Sequence, residues 1–199
     1  MGCELKPVIK LPHREVIKLN MPSIFEEYYP KTALIIDCTE FELERPFALD
    51  NQSACYSQYK SRPTMKGLIG ITPSGATAFV SELYPGSISD KEIVQKSGLL
   101  KVLEPGDEIM ADKRFLIRDE LASFGATLVL PKFLQKRTKF NQEAQHKKVA
   151  SLRVHVERRM ERIKNWHILD RRITIANAPV ASDIVIVISA LTNFLPPVI

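Results

Sequence analysis

The feature that most restricts the fold of this chain is an alternation of short, strand-length apolar runs with segments of helical spacing. "TALIID" is the first such run and closes on Asp37. "GLIGI" and "ATAFV" follow as two strand-like runs joined across Pro73-Ser74-Gly75, a turn signal that predicts a β-hairpin. In "SISDKEIVQKSGLL", Ser89 precedes Glu92 by three residues, the spacing of a capping box, and Ile93, Val94 and Leu100 give the apolar face of a helix. The turn at Pro105-Gly106 feeds "DEIMAD", a strand expected to end at Asp112. "FLIRDELASFG" is an amphipathic helix closed by Gly125, and "ATLVLP" a buried strand stopped by Pro131. Strand, hairpin, helix, strand, helix, strand is the order of an α/β protein whose mixed sheet is flanked by crossover helices. Two segments stay open: "CTEFELERP" fits an exposed continuation of the first strand or a second strand, and "NQSACYSQYK" a short helix or a loop.

At 199 residues and 45% apolar content, the chain can bury one real core. Residues 31–199 are expected to form that domain, with residues 1–30 as a lead-in or linker holding a short helix. Cys3, Cys38 and Cys55 include no Cys-x-x-Cys spacing, which argues against a disulfide framework or a zinc site and for a reducing, intracellular setting. The start "MGCELK" lacks the pattern of a signal peptide, and Lys6 stands where acylation requires Ser or Thr. "ANAPVASDIVIVISALTNFLPP", interrupted by Asp183 and Asn193, is expected to be a core helix too short to span a bilayer. No membrane partner is expected.

Val149, Leu152, Val156, Met160 and Ile163 recur at steps of three and four and predict a helix over 149–166. Glu157 falls at the edge of its apolar face, beside Arg153 and Lys164. Charge is concentrated here. Between Pro131 and Arg172 stand 13 Lys or Arg against four acids, a local excess of +9 in a chain of net charge +5. Such a block suits a nucleic-acid-facing surface, although a solvated helix and loop would look the same.

Strand carboxyl ends are where sites assemble in α/β sheets, which singles out Asp37 and Asp112. If the helix bearing Glu157 packs near them, three carboxylates form the hard-oxygen set that Mg²⁺ or Mn²⁺ prefers. Taken singly, each acid has an ordinary explanation: a turn or cap for either Asp, an intrahelical partner of Arg153 for Glu157. Periodicity alone does not join them.

The stretches "ALIIDCTEFELERP", "YSQYKSRPTMKGLIGITPSGATAFVSELYPGSISDKEI", "GDEIMADKRF" and "LRVHVERRMERIKNWHIL" resemble, in order and flanks, the catalytic region of the DDE superfamily of transposase-type endonucleases, in the branch related to Harbinger and insertion-sequence transposases. The resemblance implies a ribonuclease-H-like fold and cutting and joining of DNA by a mechanism using two divalent ions, Mg²⁺ or Mn²⁺. It implies Asp37, Asp112 and Glu157 as the catalytic, metal-binding acids, and a nuclear location. Asp90 in "SISDKE" matches a recurrent element of the family, and helix capping explains it equally well.

The cations expected to hold the DNA backbone are Lys113, Arg114, Lys136, Arg137, Arg153, Arg158, Arg162 and Lys164. Arg114 is also a departure, because relatives usually carry Gly there. It could strain the backbone, block the site or contact a phosphate. Relatives often have an upstream DNA-binding module, for which residues 1–30 are too short, so a separate subunit or a second copy is an expected partner. Two other readings compete: a catalytically impaired, transposon-derived DNA-binding or interaction protein, and a metal-dependent hydrolase of small phosphorylated substrates. The second leaves the basic segment without a role. His155 and His167 are expected at the surface, Trp166 against the core at the helix end, and Cys38 as a small buried residue.

Overall fold

The structure, a computed structural model, describes residues 6–112, 114–130 and 157–196. Lys113, Lys136, Arg137, Arg153, His155 and the first turns of the helix expected over 149–166 lie outside the described residues.

The apolar run that begins at Thr32 forms β1 (Thr32–Glu42), the spine of the sheet. A short helix, α3 (Leu49–Cys55), leads to β2 (Tyr56–Ser57) and the long β3 (Arg62–Ile71), which returns antiparallel to β1 in a register running from Ile35 opposite Ile71 to Glu42 opposite Thr64. The expected hairpin turns back along β3 as β4 (Thr77–Val80), with Gly75 at φ 88° in the left-handed region that glycine tolerates. β5 (Tyr84–Pro85) also pairs with β3. Two parallel strands complete the sheet on the other side of β1: β6 (Glu108–Met110) and β7 (Thr127–Val129). Each is reached through a crossover helix, α4 (Asp90–Lys96) and α5 (Arg118–Ala122), as parallel pairing demands. The order β4-β3-β1-β6-β7, three antiparallel strands followed by two parallel ones, is that of a ribonuclease-H-like sheet.

Both faces of the sheet are covered. Leu34, Ile36, Leu68 and Ile109 point to a core under α4 and α5. Ile35, Phe41, Ile69 and Met110 point to the opposite core, built with Met160 and Ile163 of the helix over 157–164 (α6) and with α7 (Ala181–Thr192). Gly70 is required by this packing: a Cβ there would lie 2.6 Å from Cδ2 of Leu34. In the lead-in, α1 (Arg14–Leu19) and α2 (Ser23–Tyr28) bury Ile17 and Phe25, and Arg14 ion-pairs with the buried Asp107.

Three expectations need correction. β1 does not end at Asp37 but continues through the alternating segment to Glu42, which resolves "CTEFELERP" as continuation. β7 is not a buried strand, since Thr127 is exposed and Leu128 and Val129 are half-buried, as befits the last strand of the sheet. Ile175–Thr192 is, by length and composition, long and apolar enough to cross a membrane. Its packing nevertheless makes it the expected core element: Val185, Ile186 and Ile188 are buried, and the Asn193 side chain closes the free edge of β4 by bonding both the N–H and the C=O of Thr77 at 2.8 Å. One cation of the basic segment is structural too. Arg159 is buried and donates to the carbonyl oxygen of Thr192 at 2.6 Å, capping the carboxyl end of α7.

Candidate active site

The site follows from a mismatch of strand lengths. β6 ends at Met110, opposite Ile35, whereas β1 runs on to Glu42 with β3 as its remaining neighbour. The flank of β1 beyond Ile36 is therefore open. Side chains alternate along a strand, so Asp37 shares the face of Ile35 and Phe41, the face that α6 covers. On α6, Glu157, Met160, Glu161 and Lys164 recur at steps of three or four and form one stripe. That stripe and Asp37 line a common cavity of about 460 Å³.

Asp112 stands two residues past Met110, as Asp37 stands two past Ile35, so the parallel register carries both acids to the same end of the strand pair. Asp112 itself does not line the cavity. Its carbonyl oxygen accepts a hydrogen bond from the N–H of Phe115 at 3.0 Å, closing a turn anchored by buried Phe115 and Ile117. Its carboxylate lies 3.7 Å from Nε of Arg114, whose side chain does line the cavity. Arg114 does not strain the chain: among the described residues the one non-glycine residue with positive φ is Ser61.

The cavity carries more charge than the sequence suggested. Its acids are Asp37, Glu40, Asp90, Glu157 and Glu161, and its cations Lys60, Lys66, Arg114 and Lys164. Part of the mutual repulsion of these carboxylates is relieved by the protein's own cations. Lys66 ion-pairs with Asp90 at 2.5 Å, both side chains nearly enclosed. Asp90 is thus not the helix cap, a role taken by the Ser89 hydroxyl, which accepts from the N–H of Glu92 at 3.1 Å. Burial, then the charge of Lys60, hold the Lys164 ammonium below the usual lysine range, against the pull of Asp37 and Glu40. Burial, then the charge of Asp90, push the Cys38 thiol far up.

Sequence reasoning missed Lys66, Lys60 and Glu40. Lys66 did leave a trace, as a charge interrupting the apolar run of β3, and register places it opposite Glu40. Arg158 is exposed, Arg162 half-buried with its guanidinium on the carbonyl of Pro196, and Trp166 packs against the core as expected. His167 is exposed, with Nδ1 2.9 Å from Asp170.

The carboxylates fit a hard divalent ion in kind. Among the described residues, however, no three His, Cys, Asp or Glu side chains are gathered as a metal-holding group.

A family model described as DDE superfamily endonuclease matches residues 36–193, a span holding Asp37, Asp112 and Glu157. No curated protein and no solved structure matches the chain.

Proposed function

From the premise that this chain belongs to the DDE superfamily of endonucleases, we propose that it is a divalent-metal-dependent DNA nuclease of the transposase type. The observation that supports this reading is the open end of the β1/β6 pair, where Asp37 and Glu157 line one cavity and Asp112, outside its lining, follows the end of β6. In this proposal Asp37, Asp112 and Glu157 would hold two ions, Mg²⁺ or Mn²⁺, and the bound metal would supply activation of the attacking oxygen and charge compensation at the departing one. The cavity's own cations set the geometry. Lys60 and Arg114 stand at its exposed margin, where they hold the phosphates flanking the scissile bond. Lys164, deeper and short of solvent, steadies Asp37 and Glu40 between turnovers. Arg158, exposed on α6, extends the cationic track.

A specific observation favours a second reading, a DNA-binding or interaction protein that has lost cleavage. Arg114, where relatives usually carry Gly, puts a guanidinium on Asp112 and so competes with any ion for that carboxylate. Incubation of labelled DNA with Mg²⁺ or Mn²⁺ decides between the two. Nicking that disappears in Asp112→Ala is the result expected of the nuclease, and a rise in nicking in Arg114→Gly identifies the guanidinium as a brake. Salt-sensitive binding without cleavage under either metal in the natural protein would favour the second reading, and cleavage gained in Arg114→Gly would assign the loss to the guanidinium.

A further inference from the structure

The hairpin joining β2 to β3 carries Tyr59 and Lys60 at its tip, and the tip stands where two cavities meet. One is the carboxylate cavity. The other, about 890 Å³, is lined by residues of α3, by β2 and by the turn after β5. Glu40, Tyr59 and Lys66 line both, so the two cavities adjoin at the tip.

The tip is built to hold its shape. Ser61 takes φ 53°, a left-handed conformation that serine adopts at a cost, and the Ser57 hydroxyl accepts from the N–H of Lys60 at 3.2 Å. This effort presents an aromatic ring to solvent, for Tyr59 is 73% exposed. Cations gather at that ring: the Lys60 ammonium is 5.1 Å and the Arg114 guanidinium 5.5 Å from its centroid.

An exposed ring with cations over its face suits a ligand that is part aromatic and part anionic. The second cavity sorts the two parts. It is lined by Gln58, Ser53 and Ser87, whose amide and hydroxyl groups can meet the edge of a base, whereas the exposed cations Lys60 and Arg114 line the carboxylate cavity. The phosphate therefore belongs at the Lys60 and Arg114 end and the base inside. A base within a duplex exposes only its edges, so one that stacks on Tyr59 must be unpaired.

Resting on the DNA reading above, we infer that this groove receives one unpaired nucleotide of the strand whose phosphate lies in the carboxylate cavity, with Tyr59 as its stacking platform. The protein thereby selects DNA that is frayed or single-stranded next to the cleavage point.

The test is fluorescence anisotropy in EDTA, which prevents cleavage, with two DNAs of one sequence, a full duplex and a duplex with a short unpaired flap. The natural protein is expected to bind the flap DNA more tightly. Stacking energies predict that Tyr59→Ala loses about 5- to 100-fold on the flap while duplex binding holds, and that Tyr59→Trp retains the preference. A 2-aminopurine in the flap should be quenched by the natural protein and by Tyr59→Trp, and not by Tyr59→Ala. Equal binding of both DNAs with no quenching overturns the nucleotide site and leaves the DNA reading standing, as does an equal loss on both DNAs in Tyr59→Ala. Failure to bind either DNA overturns both.

Discussion

The two halves of β1 are made by the same strand and do different things. From Thr32 to Ile36 every residue is buried, with β6 alongside as far as Ile35, where β3 joins on the other side; from Asp37 to Glu42 the strand keeps β3 without β6, and buried positions mix with half-buried ones. Backbone pairing on β3 is continuous across the boundary, so the change comes from the missing neighbour and not from an end to the strand. A strand with partners on both sides and layers on both faces contributes stability. Where one partner stops short, charged side chains become affordable, and a site can form without disturbing the pairing that supports it.

That comparison can be broken by substitution, and the sealed half should respond most strongly. Leu34 is fully buried, and Leu34→Ala is expected to cost about 2–5 kcal/mol in chemical denaturation. Asp37→Asn, three residues on, should change stability by less than about 1 kcal/mol; similar losses in the two variants would erase the distinction between the halves. Gly70→Ala attacks the same sealed packing from β3 by forcing a methyl against Leu34, with an expected loss of about 1–3 kcal/mol. At the open half the largest structural effect should come from Lys66→Met, which strands Asp90 in its nearly enclosed position and should cost about 1–3 kcal/mol. Adding Asp90→Asn should recover part of that loss. A double-mutant cycle with no coupling would mean that the pair does not neutralise the cavity.

How much of this was legible in the sequence depended on the range of the signal. The β3/β4 turn, the Ser89 cap and the core helix over 181–192 were readable because each is set by neighbours within a few residues. The apolar run "TALIID" was read correctly as a strand, and its end was misread: alternation from Asp37 onward marks the point where β6 stops, which only the register with a segment some 75 residues away reveals. The same holds for the site. Asp37, Asp112 and Glu157 were singled out by position and resemblance, whereas the Lys66–Asp90 pair and the placement of Tyr59 beside Arg114 depend on contacts between distant segments that no local pattern announces. Arg114 shows the limit most clearly, since its three candidate roles were indistinguishable until the backbone proved unstrained and the side chain was found on Asp112.

The central claim is that the open flank of β1 gathers acids that share bound metal. Titration of Mn²⁺ followed by electron paramagnetic resonance tests it without relying on cleavage. Saturable binding to the natural protein, weakened at least about tenfold in Asp37→Asn and in Glu157→Gln while the thermal midpoint holds, is the expected result. Mn²⁺ binding that both variants leave unchanged, or its absence in the natural protein and in Arg114→Gly alike, would contradict the account.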